Sequence, residues 1–343
     1  MLALGIETSC DETAVALLSF SDGNARLICE EVSSQFEVHK AYGGVVPELA
    51  SREHLRNLPL LLDGVLARGA CRLEDLAVIG VTGGPGLKGC LLMGISFAKG
   101  LALPSALPLL EVNHIEAHLL AACLDNPDLR YPFLSLIVSG GHTEIHEVHG
   151  LGQYRLVART MDDAAGEAFD KSANLLGYDY PGGAALAALA DSYGKSEIRL
   201  PRVMREAEGF SFSGLKTAIS LAVQERKGAL SDPAVKGSLA SAIQEAIVDA
   251  LIFKLKQAVK KSGIRQISLA GGVSANQCLR RRVGELKGCQ AYFPAAEHCM
   301  DNAAMVAYAA VLRFAAGQRG AGDIQARSSW PVESLRPPQV QLE

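Results

Sequence analysis

Two stretches decide the fold: LALGIETSCDETAVALLSF, residues Leu2 to Phe20, and FLSLIVSGGHTEIHEVHG, residues Phe133 to Gly150. Each reads as an apolar strand, a small polar turn and a second strand beginning with Thr. Such a turn exposes consecutive backbone N–H groups and hydroxyls, a cradle suited to phosphate oxygens. Either stretch alone is an ordinary hairpin. Their recurrence about 130 residues apart points to duplicated lobes facing each other across a cleft.

The rest of the chain agrees with that frame. Strand and helical periods alternate, which indicates a layered α/β fold, and 343 residues suffice for two domains or one large two-lobed unit. Further glycine turns lead from strand to helix in VIGVTGGPGLKGCLLMGISFAKGLAL (Val78 to Leu103) and ISLAGGVSANQCLRRRV (Ile267 to Val283), and a third opens the Ala-rich YDYPGGAALAALA (Tyr178 to Ala190). Helix N-termini of this kind favour anions, but none of the three matches the G-x-x-x-x-G-K-[ST] of a P-loop ATPase.

Charge and cysteine usage narrow the class. A formal net charge of −4 argues against strong stand-alone nucleic-acid binding, because phosphate contacts need clustered Lys and Arg. A nucleic-acid role then requires a local basic face or a partner. Eight cysteines without a C-x-x-C pair fit reduced thiols. Glu7 and Asp11 come too early for the apolar region of a signal peptide, and no apolar run reaches the length of a membrane span. A cytoplasmic protein with no membrane association is expected.

EVNHIEAHLL, Glu111 to Leu120, carries the sharpest chemical signal. On a helix His118 lies about 40° from His114 and one turn along, so both imidazoles can reach one ion. Glu116 is rotated about 200° from His114 and points away, unlike the water-activating glutamate of H-E-x-x-H peptidases. Its replacement is expected to cost at most a modest packing or salt-bridge loss. His142, His146 and His149 offer competing ligands, of which only His142 and His146 share a strand face. His298 and Cys299 do so near the end of the chain.

The strings GIETSCDETAVAL, YGGVVPELASREH, VTGGPGLKGCLLMG, NHIEAH, VSGGHTEI, DDAAGEAFDK, YPGG, FSFSGLK, AGGVSANQCLR and MDNAAM together resemble the tRNA adenosine threonylcarbamoyltransferase family, formerly described as O-sialoglycoprotein endopeptidases. The resemblance covers nearly the whole chain. It implies the α/β actin, sugar kinase and Hsp70-like fold, with two lobes around a nucleotide cleft. The lobes are expected at 1–130 and 131–325, with late helices free to pack back on the first lobe, and a C-terminal tail at 326–343.

The resemblance also implies a third metal ligand, Asp301 of the D-N-A-A-M string, beside His114 and His118. Two imidazoles and one carboxylate leave coordination positions open, as a catalytic ion needs. The implied cofactor is one divalent ion, Fe2+, with Zn2+ also acceptable to these ligands. Implied substrate contacts are Val138, Ser139, Gly140, Gly141, His142 and Thr143 of the second hairpin, with Asp170, Gly183 and Asn276. Met300 and Ala184 stand where Thr and Pro are common, without loss of a contact. The implied reaction moves threonylcarbamoyl from threonylcarbamoyl-adenylate to N6 of the adenosine beside the anticodon, in tRNAs reading codons that begin with adenine. Asp11, in the first hairpin turn, is the candidate to orient or deprotonate that amine. An actin-like paralogue and a P-loop ATPase are implied as helpers, and a separate synthase as the source of the adenylate. A metallopeptidase and an actin-like ATPase or nucleotide-binding scaffold remain as rival readings.

Overall fold

The computed structural model describes residues 1–201, 209–320 and 323–338. The chain divides into two compact units. The first takes in residues 1–129, 149–154 and 294–343, the second residues 130–148 and 155–293. The segment from Pro294 onward groups with the first unit. Of the expected tail, 339–343 lie outside the described residues.

The first unit is built on five strands, β1 (Leu2–Glu7), β2 (Glu12–Ser21), β3 (Asn24–Ser34), β4 (Val78–Gly84) and β5 (Leu109–Asn113), in the spatial order β3-β2-β1-β4-β5. β1 and β2 are antiparallel, and β4 and β5 continue parallel to β1. The alternation in LALGIE sends Leu4 and Ile6 to one face, where they pack with Leu58, Leu62, Leu91 and Ile95 of the helices Pro47–Gly69 and Lys88–Ser105. Ala3, Val78, Leu110 and Val112 line the opposite face with helices His114–Asp125 and Ala303–Ala315.

Glycine explains how the last of these helices seats itself. Gly5 and Gly80 lie side by side in β1 and β4. A Cβ on Gly5 would fall 2.2 Å from Ala303 O, and one on Gly80 would fall 2.5 Å from Ala310 Cβ. The bare stripe accepts the small-residue face of AAMVAYAAVLRFA at close range, and a side chain there would drive the helix off the sheet. Residues 323–338 then pack on the same unit. Arg327 N donates to Gly83 O at 2.8 Å, Asn113 Nδ2 donates to Trp330 O at 3.0 Å, and Val332 is buried.

The second unit repeats the sheet. Its strands are β6 (Phe133–Val138), β7 (Thr143–Gly150), β8 (Gln153–Arg159), β9 (Gln266–Ala270) and β10 (Gln290–Tyr292), ordered β8-β7-β6-β9-β10. β6 and β7 are antiparallel, and β9 runs parallel to β6 with β10 parallel to β9. This is the first sheet strand for strand, as the recurrent hairpins predict. Leu134, Leu136 and Val138 enter a core shared with Ala-rich helices, including the 30-residue helix Pro233–Ser262.

Candidate metal centre and adenylate contacts

Asn113 starts the metal-site helix by accepting from Ile115 N and Glu116 N at 2.9 and 3.1 Å, which satisfies two donors at the helix start. His114 therefore falls on the first turn and His118 one turn on, both buried. Their Nε2 atoms converge on Asp301 Oδ1, at 3.5 Å from His114 and 3.0 Å from His118. Among the described residues this is the one group of three or more such side chains able to hold an ion, with ligand atoms within 4.8 Å of one another. Bonds of about 2.0–2.1 Å at octahedral or tetrahedral angles put neighbouring ligand atoms about 3.0–3.4 Å apart, close to the separations of Asp301 Oδ1 from the two imidazoles. Asp301, with a quarter of its side chain exposed (24%), is the open side of the group.

Glu7 was not singled out by the sequence reading. Fully buried at the end of β1, its Oε2 lies 3.1 Å from His114 Nδ1 and accepts from Thr82 Oγ1 at 2.6 Å. A carboxylate that takes the Nδ1–H of a ligating histidine fixes its tautomer and leaves the Nε2 lone pair for the ion. Burial alone would push the Glu7 carboxyl up, but the His114 charge and hydrogen bond outweigh it and hold it below the ordinary range. Burial likewise disfavours the charged His114, yet Asp301 and Glu7 raise it to about 9. The available signal was a lone acid closing an apolar strand, which needs a buried partner. Glu12 was missed as well. Burial first, then the charges of Asp301 and Asp11, push its carboxyl up to about 9.

Glu116 does point away from the ligands, but its expected small contribution is corrected. It is fully buried, and Arg313 grips it with two hydrogen bonds of 2.6 Å, while Tyr154 OH donates to it at 2.7 Å. Helical rotation locates the face and cannot say what covers it. The pair ties the histidine helix to helix Ala303–Ala315, which begins two residues after Asp301. A glutamate held in this way is not free to activate a water beside the histidines, which counts against the peptidase reading. His298 is also spent elsewhere, its Nδ1 2.9 Å from Asp125 Oδ1, and His146 Nε2 pairs with Glu144 at 2.7 Å.

Asp11 is half-buried in the first turn, and its backbone carbonyl accepts from Gln35 N at 3.1 Å. In the second unit, Ser139 N donates to His142 O at 2.8 Å and closes a tight turn over Gly140 and Gly141. Both glycines are exposed, and a Cβ on either would meet open space. Val138 is buried below them, and its carbonyl would lie 2.5 Å from a Cβ on Gly271, so only glycine lets the AGG loop pass. Thr143 Oγ1 accepts from Ala165 N at 2.8 Å. Asp170 Oδ1 accepts from Gly183 N at 2.8 Å, which brings two of the expected contacts together. Burial raises the Asp170 carboxyl despite that bond. Asn276 caps helix Gln277–Gly284 through Leu279 N at 2.9 Å and donates to Gln244 Oε1 at 2.7 Å.

The repeated sheet defines a two-lobed protein of the actin, sugar kinase and Hsp70-like class, here with a histidine–carboxylate group on its first sheet. Component A of (R)-2-hydroxyglutaryl-CoA dehydratase from Acidaminococcus fermentans matches with a TM-score of 0.56 at 16% identity, over 92% of this chain and 99% of that chain. HypF from T. kodakarensis matches with a TM-score of 0.58 at 15% identity, over 90% of this chain and 46% of that one. Both likenesses concern the fold alone. In sequence, the tRNA N6-adenosine threonylcarbamoyltransferase family model matches residues 26–308. Proteins of that name from Aromatoleum aromaticum and Legionella pneumophila are 47% and 46% identical, covering 98% and 97% of this chain and 99% and 100% of their own lengths. The chain belongs to the tRNA N6-adenosine threonylcarbamoyltransferase family.

Proposed function

We propose that this chain catalyses the transfer for which its family is named, placing threonylcarbamoyl on N6 of the adenosine beside the anticodon in tRNAs reading codons that begin with adenine. The observation that carries the reading is near-full-length identity of 46–47% to proteins of that name, joined to the convergence of His114, His118 and Asp301. The donor would be threonylcarbamoyl-adenylate. The amine nitrogen forms a bond to the carbamoyl carbon, the bond from that carbon to the phosphate oxygen breaks, and AMP departs with the electron pair.

His114, His118 and Asp301 would hold one divalent cation, Fe2+ by preference and Zn2+ as the alternative these ligands accept. Such an ion supplies Lewis-acid polarisation of the carbamoyl carbonyl when bound. Glu7 orients His114 for that role. In the second unit, the exposed glycine turn of Gly140 and Gly141 suits the adenylate phosphate, within the turn from Val138 to Thr143 that includes Ser139 and His142. Asp170 suits a ribose hydroxyl, and Gly183 and Asn276 the remaining adenylate contacts. Asp11 would orient the attacking amine or take its proton.

A net charge of −4 supports weak tRNA binding by the isolated chain, and family membership is the ground for an actin-like paralogue, a P-loop ATPase and an adenylate-making synthase as partners. Among the described residues no helix is long and apolar enough to cross a membrane, and the substrate fits a cytoplasmic setting. The test is transfer of labelled threonylcarbamoyl to tRNA by the purified protein with candidate partners, beside metal analysis. His118→Ala and Asp301→Ala should each lose the ion and the transfer together. Full transfer by either variant without bound metal would remove the proposed centre.

A further inference from the structure

The second unit carries a concave basic site to which neither the family resemblance nor the metal centre assigns a role. A cavity of about 500 Å³ opens between the C-terminal half of helix Pro233–Ser262, the end of helix Gln277–Gly284 and the approaches to β9 and β10. Lys256, Lys260, Arg265, Arg282 and Lys287 line it against one lining carboxylate, Glu285. Arg282 is fixed by Asp249 at 2.6 Å. Lys256, Lys260, Arg265 and Lys287 are exposed and have no ion-pair partner among the described residues. On a protein of net charge −4 this concentration of one sign is a local reversal.

Helix ends account for part of it, since Lys260 and Arg282 lie in last turns where cations oppose the helix dipole. They do not account for Lys256, one turn further in and aligned with Lys260, nor for Arg265 and Lys287 beyond the helices. The floor is aliphatic, Ile252, Val259 and Leu286, with no aromatic ring in the lining. A base or adenine ring therefore finds nothing to stack on, whereas phosphates find several mobile cations. No buried cation is aimed into the cavity to clamp a single phosphate, so an extended run of phosphates is the better match than a small anion.

We propose that this cavity takes the sugar–phosphate backbone of tRNA, sequence-independently, as an anchoring surface of the second unit. The proposal rests on the tRNA reading above. It resolves how an acidic chain can meet a polyanion, through a local face rather than through overall charge.

The test is binding of an unmodified tRNA transcript to the full-length protein across a series of salt concentrations. Lys256→Glu with Lys260→Glu should weaken binding on the order of tenfold at low salt and lower the salt slope by roughly 0.7–0.9 per lost phosphate contact. Glu285→Lys should tighten it. Metal content and melting temperature should match the unchanged protein in both variants, because all three positions are exposed. Equal affinity and slope in all proteins, no tRNA binding by the unchanged protein even at low salt, or loss only of binding to phosphatidylserine vesicles would each overturn the proposal. Transfer assays separate it from the functional reading. Charge-sensitive tRNA binding without transfer sinks the reaction and leaves the cavity, while transfer with an unaltered KM for tRNA and unaltered binding in the double variant sinks the cavity.

Discussion

The two sheets share one strand order and differ at the ends of their first strands. β1 closes with Glu7, a buried acid, and β6 closes with Val138. The last pair is Glu7 with Ala14 in one hairpin and Val138 with Thr143 in the other, and the two turns are equally long, residues 8–11 and 139–142. The first turn is held by its surroundings: Leu87 N donates to Ser9 O at 2.8 Å, His54 Nε2 lies 2.9 Å from Cys10 O, and Thr8 Oγ1 donates to Cys90 O at 3.0 Å. The second turn closes on itself through Ser139 N and His142 O and leaves Gly140 and Gly141 exposed. One backbone frame thus yields a rigid mount for a charged side chain in the first unit and an exposed glycine turn in the second. What differs is where the polar groups of the turn are satisfied.

The contrast is tested most severely by removing buried charge from the first unit. Glu116→Ala leaves Arg313 uncompensated in the interior and should cost about 3–5 kcal/mol, read as a drop in the denaturation midpoint. A loss below about 1 kcal/mol would mean that the pair is a surface contact after all. Glu7→Gln should come next. It keeps the shape but weakens the acceptor for His114 Nδ1, and metal affinity should fall roughly 10–100-fold by competition with a chelator, with all three ligands intact. Unaltered affinity would leave Glu7 a packing residue.

Gly141→Val addresses the other turn. Its Cβ position is open, so the melting temperature should hold while adenylate binding by calorimetry weakens roughly tenfold, about the worth of one good hydrogen bond to a charged group. Undiminished affinity would deny the turn its role. The smallest effect is expected at Asp163, whose carboxylate is held below the ordinary range by hydrogen bonds, first from Lys216 and then from Lys171, against a smaller opposing push from partial burial. A depressed carboxylate adds stability that is present above the unfolded value of about 3.9 and is lost as pH falls through the lower folded value. Asp163→Asn should therefore cost no more than about 1 kcal/mol at neutral pH, and its stability should fall less steeply than that of the unchanged protein below about pH 4.

Much of this was legible before any coordinates. Alternation in LALGIE and FLSLIV marks the strands, recurrence of the hairpin marks the duplication, and the spacing of His114 and His118 fixes their common face. These are local properties, set by pleat and helical turn over a few residues. The burial of Glu116, the bond of Glu7 to His114 and the packing of residues 323–338 were not legible, because each depends on what arrives from far along the chain.

Asp301 shows the division most clearly. Its place as the expected third ligand came from likeness to relatives, and no periodicity connects it to a helix some 180 residues earlier. The sequence by itself set a glycine within each of two apolar strand stretches and a run of alanines near the end of the chain. Only the tertiary structure seats that alanine face on the glycine stripe, where the backbones can approach without intervening side chains. Close packing of one helix on one sheet then delivers the carboxylate to the histidines, and only the folded chain brings together groups so distant in sequence.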